Sequence, residues 1–238
     1  MVATSNIWLV LPTYDEAANI ERLVVAVREQ LPDAARILIV DDNSPDGTGE
    51  IADRLQSGLP GVSVLHRARK EGIGPAYVAG FRRVLDEGAE LVAQMDADFS
   101  HDPADLPRLI EAVAGADLAL GSRYVDGGAV TDWGPVRRLI SRGGSAYARA
   151  LLGVHVRDLT GGFKVFRRRV LEAIDLGSIS SAGYAFQVET TYRAVRAGFK
   201  VVEVPITFTE RRVGESKMTG GIVLEAALKV PGMRARNR

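Results

Sequence analysis

Leu91-Val92-Ala93-Gln94-Met95-Asp96-Ala97-Asp98-Phe99-Ser100-His101-Asp102-Pro103 is the stretch around which the rest of the chain is organised. Leu91 to Ala93 is an apolar run of the kind that forms a buried strand. Side chains alternate along an extended segment, which puts Asp96 and Asp98 on the same side, one step apart. Two hard carboxylates at a strand end suit Mg²⁺ or Mn²⁺, ions that keep positions open for phosphate oxygens. Open α/β sheets bind ligands at the carboxyl ends of their strands, so the place suits as well. The competing reading is an acidic turn, because Asp and Pro are ordinary loop residues. D-x-D alone is too short to decide between the two.

On either side of this stretch, strand and helix alternate. Ile7 to Pro12 reads as a first buried strand, and Ala17 to Gln30 carries Ile20, Leu23, Val24 and Val27 at helical spacing. Arg36 to Val40 is a second strand running into the turn-forming cluster Asp41 to Thr48, with a helix through Leu55. Val62 to Leu65 is a third strand, and Pro75 sits in the first turn of a helix over Ala76 to Glu87. After the acidic stretch come a helix near Ala104 to Ala114 and a strand over Asp117 to Ser122. This alternation, over roughly 120 residues, argues βαβ units and a parallel sheet under right-handed crossovers. No P-loop signature is present, and Tyr77 stands where a dinucleotide fingerprint starting at Gly72-Ile73-Gly74 needs its third glycine. A Rossmann dehydrogenase is thereby rejected.

The second half is less regular. Tyr124 to Trp133 reads as a mobile glycine-rich loop, and Pro135 to Leu152 as a helix bearing Arg137, Arg138, Arg142 and Arg149. Asp158 to Phe163 is a turn entering a strand over Lys164 to Phe166. Ala185 to Ala197 is a helix, and Val201 to Phe208 a strand. Gln187 and Glu189 are two apart on that helix and do not share a face, so at most one is expected to reach a site. Ile222 to Val230 reads as a short apolar helix ahead of a basic tail containing Arg234, Arg236 and Arg238.

Bulk properties narrow the function classes. Thirty Lys and Arg balance thirty Asp and Glu over 238 residues, so nothing global argues for nucleic acid. Cysteine is absent, which excludes disulfides and thiolate zinc sites. His66, His101 and His155 are far apart and show no metal-ligand spacing. Ile7 to Pro12 is too short for a secretory signal, and no apolar run approaches the ~20 residues that span a bilayer.

Taken in order, these pieces resemble glycosyltransferase family 2, with the GT-A (Rossmann-like) α/β fold, and within it the polyprenol (dolichol) phosphate mannose synthases. The resemblance is carried by Pro12 to Glu16, Asp41 to Thr48, Arg67 to Gly74, Met95 to Pro103, Gly121 to Tyr124, Trp133 to Ser141, Thr160 to Phe163 and Arg211 to Lys217. It implies one domain over residues 1–238. Residues 1–123 would form a nucleotide-sugar-binding half, 124–220 an acceptor-binding half and 221–238 a candidate membrane-surface helix with its basic tail.

The implied reaction moves mannose from GDP-mannose to the phosphate of a polyprenyl phosphate, with inversion at the anomeric carbon. Pro12, Tyr14, Glu16, Val40, Asp42 and Lys70 would hold the nucleotide; carboxylates can accept hydrogen bonds from a guanine edge or ribose hydroxyls. Asp96, Ala97 and Asp98 would border the diphosphate, with Asp96, Asp98 and Ser100 around Mg²⁺ or Mn²⁺. Some family members carry Gln where Ser100 stands, and Ser is a shorter ligand, so water is the other candidate for that position. Asp98, Arg123 and Arg211 are the expected catalytic residues. Arg123, Arg211 and Lys217 would also contact the sugar nucleotide, with Arg137 and Ser141 on the acceptor phosphate; which cation serves which phosphate is left open. Asp158 and Glu189 are candidates for sugar contacts.

A phosphate monoester has a second pKa near ~6, so such an acceptor is already anionic and needs cations around it more than a general base. The expected setting is the cytoplasmic face of a membrane, with peripheral attachment or a separate membrane-anchoring protein or domain. Two other readings stand beside this one. The first is a family 2 transferase using another sugar nucleotide, such as UDP-glucose, and the second is a non-catalytic nucleotide-sugar-binding module.

Overall fold

Every residue of β1 (Ile7–Thr13) is buried, as in a strand covered on both faces. The computed structural model describes residues 6–179, 183–210 and 229–234. Around β1 the chain lays down β2 (Arg36–Asp41), β3 (Val62–His66), β4 (Leu91–Gln94), β5 (Leu118–Ser122), β7 (Lys164–Arg167) and β8 (Val201–Pro205) as one sheet in the order β3-β2-β1-β4-β7-β5-β8. β6 (Ala129–Val130) and β9 (Thr207–Phe208) form a separate two-stranded sheet. The helices are α1 (Ile20–Gln30), α2 (Thr48–Gly58), α3 (Ile73–Asp86), α4 (Leu106–Ala112), α5 (Pro135–Leu152), α6 (Arg168–Ala173) and α7 (Gly183–Arg196).

Alternation along the strands divides the core in two. Leu9, Leu11, Ile37 and Ile39 meet Leu23, Val24 and Val27 of α1 and Leu106 and Leu109 of α4. Trp8, Val10, Leu38 and Val40 face the other way, onto Tyr77, Phe81 and Val84 of α3 and Phe186 of α7. α3 approaches closely because position 80 is glycine: a Cβ there would lie 2.5 Å from a Val10 methyl. A smaller third cluster gathers Ala148 and Leu152 of α5, Val188 and Tyr192 of α7, and Val230 and Met233 of the segment 229–234.

The first four strands are parallel, as expected, and β1 runs to β2 on one side while β4 returns on the other. That reversal opens a crevice at the carboxyl ends of β1 and β4. β7 lies antiparallel between β4 and β5, so the sheet is mostly parallel, as the family resemblance implies.

Two local expectations are corrected. Val201 to Phe208 is two strands: β8 pairs with β5 and ends at Pro205, whose ring nitrogen has no hydrogen to extend a ladder, and β9 leaves to pair with β6. Through β6 the segment Tyr124 to Trp133 is anchored rather than a free loop. It lies against the end of β5 because Gly128 has no side chain; a Cβ there would sit 2.6 Å from the Ser122 carbonyl oxygen.

Candidate active site

β4 stops at Gln94, so Asp96 and Asp98 stand in the turn beyond the strand end and not on an extended segment. The Asp98 carboxylate accepts the Ser100 backbone N–H at 3.0 Å, and Phe99 between them takes the left-handed conformation at φ +59°. Asp98 is buried while Asp96 remains partly open. Tyr77 donates its hydroxyl to Asp96 Oδ1 at 3.1 Å, and His101 Nε2 lies 3.6 Å from Asp96 Oδ2. Burial first, and then the Asp96 charge, push the Tyr77 phenol well above its ordinary pKa, so it serves there as a proton-bearing donor.

The residues present fit a small divalent cation. Gly162 leaves room beside Asp96: a Cβ at that position would come within 3.3 and 3.6 Å of its two carboxylate oxygens. The Ser100 hydroxyl is buried next to Asp98 without a hydrogen-bond partner among the described residues. Among those residues no cluster of three or more His, Cys, Asp or Glu forms. Asp96, Asp98 and the Ser100 hydroxyl would be the donors, a set that suits Mg²⁺ or Mn²⁺ sharing its shell with phosphate oxygens and water.

On the other side of the crevice, the ends of β1 and β2 bring together most of the expected nucleotide residues. Lys70 Nζ sits 3.6 Å above the Tyr14 ring. Glu16 is buried and accepts from Asn19 Nδ2 at 2.9 Å, while its backbone N–H donates to Thr48 Oγ1 at 3.0 Å. Asp42 pairs with Arg67 and accepts the Glu71 backbone N–H at 3.3 Å, so Arg67 is a member of this wall that residue-by-residue reasoning did not single out. Val40 points its side chain into the core and Ala97 is buried, which leaves backbone as what either presents.

The turn Asp158 to Phe163 ties this wall to the basic half of the site. Asp158 was a candidate sugar contact; it is instead fully buried and holds Arg123, accepting from Nε and Nη2 at 2.7 Å each. Burial would raise the Asp158 pKa, but the Arg123 charge and hydrogen bonds outweigh it and hold the carboxyl below its ordinary value. Arg123 Nη2 also donates to Thr160 Oγ1 at 2.7 Å. The guanidinium lies between the rings of Tyr124, Trp133 and Phe208, with centroids 5.2 to 5.7 Å away. The Tyr124 hydroxyl donates to Ser141 Oγ at 2.6 Å, and Arg137 stacks 4.4 Å from the Trp133 ring and pairs with Glu210. Arg123 and Ser141 thus share Tyr124 as a neighbour, and Arg123 and Arg137 share Trp133. Arg211 and Lys217 lie outside the described residues.

Glu189, the other candidate sugar contact, turns toward Arg193. Its neighbour Gln187 is the one that borders the crevice: Nε2 lies 3.5 Å from the place a Gly162 Cβ would occupy. Behind it is Lys164, a wholly buried ammonium donating to Gln187 O, Gln187 Oε1 and Thr190 Oγ1 at 2.8 to 3.0 Å. Burial drives its pKa down to about 7, with the charges of Asp158 and Asp96 opposing. Lys164, Tyr77 and Gly162 were not foreseen as site residues.

Residues 8–175 match the profile of Glycosyl transferase family 2. The chain belongs to that family. It is 49% identical over 229 residues to an undecaprenyl-phosphate mannosyltransferase of Micrococcus luteus, covering 95% of this chain and 94% of that one. It is 50% identical over 238 residues to the polyprenol monophosphomannose synthase of Mycolicibacterium smegmatis, covering 99% and 89%. A dolichol-phosphate mannosyltransferase of Pyrococcus furiosus is 38% identical over 221 residues, which span 91% of this chain and 60% of that protein. The GT-A fold of this family 2 chain is shared with glucosyl-3-phosphoglycerate synthase of Mycobacterium tuberculosis, solved with Mn²⁺, UDP and phosphoglyceric acid: TM-score 0.73 at 19% identity, over 97% of this chain and 78% of that one.

Proposed function

We propose that this family 2 transferase moves mannose from GDP-mannose to the phosphate of a polyprenyl phosphate, inverting the anomeric carbon and releasing GDP. Relatives named for mannosyl transfer to undecaprenyl phosphate and for polyprenol monophosphomannose synthesis, each near half identical over almost the whole chain, support the sugar and acceptor class. The observation that carries the reading within the molecule is the turn 158–162. Its Asp158 and Thr160 hold Arg123, and its Gly162 faces Asp96, so one short segment joins a cation to the carboxylate pair.

In this reading Tyr14, Glu16, Asp42 and Lys70 line the nucleotide. Asp96 and Asp98, with Ser100 or water, would hold Mg²⁺ or Mn²⁺, which when bound supplies Lewis-acid neutralisation of the departing diphosphate. Arg137 and Ser141 receive the acceptor phosphate, and Arg123, with Arg211 and Lys217 on the strength of the family motif, serves the sugar nucleotide. The acceptor oxygen is already anionic, so these residues act by bringing two negative substrates together and orienting them.

The lipid acceptor calls for a membrane surface. Among the described residues no helix is long and apolar enough to cross one. α5 offers a different contact: Leu139, Ile140 and Tyr147 are 73, 47 and 45% exposed, flanked by exposed Arg138 and Arg142. Apolar side chains beside arginines on one helix suit peripheral binding to an anionic leaflet. We place that leaflet on the cytoplasmic side, with any further anchor in a separate protein or domain.

The donor is tested by offering radiolabelled GDP-mannose and UDP-glucose in parallel, each with a short polyprenyl phosphate and Mg²⁺ or Mn²⁺. Label entering the lipid phase from GDP-mannose alone is the expected result. Transfer from UDP-glucose instead would overturn the donor assignment and keep the acceptor.

A further inference from the structure

Gln187 turns one end of its side-chain amide toward the crevice. Its side chain is 4% exposed, and Oε1 accepts from Lys164 Nζ at 2.9 Å and from Gln94 Nε2 at 2.8 Å. Two donors on one atom identify it as the oxygen, so the amide cannot be flipped and Nε2 must point the opposite way. Gln94 is itself fixed, because its Nε2 also donates to the Gly162 carbonyl at 2.7 Å. Gln187 Nε2 thereby faces the gap at Gly162, which the Asp96 carboxylate also borders.

We propose that Gln187 is a sugar-binding residue, its amide N–H group donating to one hydroxyl of the transferred sugar, and that Lys164 is the positioning residue that keeps this group turned toward the site. The inference rests on the glycosyl-transfer reading, since the gap lies beside the carboxylate assigned to the diphosphate. Lys164 fits the positioning role because all three of its hydrogen bonds run to α7, two of them to Gln187 itself. Gly162 fits as well, because any side chain there would fill the gap from which a hydroxyl would be bound.

The test is a double-mutant cycle between the protein and the sugar, using the full chain with Mn²⁺. Transfer efficiency is measured for wild type and Gln187→Met with the intact sugar nucleotide and with analogues lacking one hydroxyl each. Gln187→Glu, which keeps the acceptor for Lys164 and Gln94, covers the case in which Gln187→Met does not fold. In wild type one analogue should lose about tenfold or more in kcat/KM, the size expected when a site built to hydrogen-bond a hydroxyl is denied it. In the variant that same analogue should lose nothing further, whereas the others should lose as in wild type. Lys164→Met should reduce the discrimination in the same analogue and no other. Losses that multiply independently for every analogue would overturn the proposal and leave Gln187 a packing residue. Running GDP-mannose and UDP-glucose analogues side by side separates this failure from a wrong donor: the donor decides which series reports, and Gln187 decides whether one hydroxyl stands out.

Discussion

Asp158 grips Arg123 three times, through Nε and Nη2 at 2.7 Å each and through the backbone N–H at 3.0 Å, with both side chains buried. Thr160 and the rings of Tyr124, Trp133 and Phe208 complete the enclosure, so the cation is fixed before any substrate arrives. Removing the carboxylate strands a buried charge, which costs about 3–5 kcal/mol. Asp158→Ala should therefore lower the melting temperature sharply and abolish transfer. An unchanged melting temperature would show that the pair does not organise the site. Because the Asp158 pKa is lowered in the fold, its contribution is present above the ordinary 3.8 and is lost as pH falls through the folded value.

Tyr77 should affect metal more than stability. Its ring stacks on Phe81 and Phe186 with centroids 5.6 and 5.7 Å apart, packing that Tyr77→Phe retains. The lost hydroxyl takes one hydrogen bond from Asp96, and outer partners of this kind are worth roughly 10–100-fold in metal affinity. A Mn²⁺ titration of the two proteins checks this; equal affinities would remove Tyr77 from the support of the site.

Lys164 makes stability depend on pH in a stated direction. Its folded pKa of about 7 lies below the ordinary 10.5, so between those values the unfolded chain binds more protons. The cost of burying the ammonium is present in full below pH 7 and is relieved as pH rises toward 10. Wild type should gain stability relative to Lys164→Met between pH 7 and about 9, measured by chemical unfolding in chelator. A difference that stays constant across that range would contradict the shift.

The outer face of α5 should be needed for lipid binding and not for the fold. Leu139→Glu with Ile140→Glu changes two exposed side chains and should leave the melting temperature within a degree or so, since surface changes fall within about 0.5 kcal/mol. Co-sedimentation with vesicles containing anionic lipid should fall severalfold. Undiminished sedimentation would move the membrane contact elsewhere.

Much of this architecture was legible because it is local. β1, β2 and β4 each contain an apolar run, and the turn residues after each are where the ligand-facing loops lie. Family motifs then marked Asp96, Asp98, Arg123, Arg137 and Ser141. What escaped is held by partners distant in the chain: Tyr77 and Asp96 are 19 residues apart, Lys164 and Gln187 23, and Arg123 and Asp158 35. Tyr77 read only as a missing glycine, and Lys164 as the first residue of a strand. Asp158, a candidate sugar contact, is engaged by an arginine 35 residues away, which no local pattern reveals. Pro205 was the visible sign that Val201 to Phe208 is two strands, since it cannot extend a ladder.

In the proposed reaction Asp96 and Asp98 hold a divalent cation required for mannosyl transfer to a polyprenyl phosphate. The most direct test compares wild type and Asp98→Asn with radiolabelled GDP-mannose and a short polyprenyl phosphate, each with Mn²⁺ and with chelator. Wild type should carry label into the lipid phase only with metal, and Asp98→Asn should carry none in either condition. Full transfer by Asp98→Asn, or by wild type in chelator, would contradict the claim.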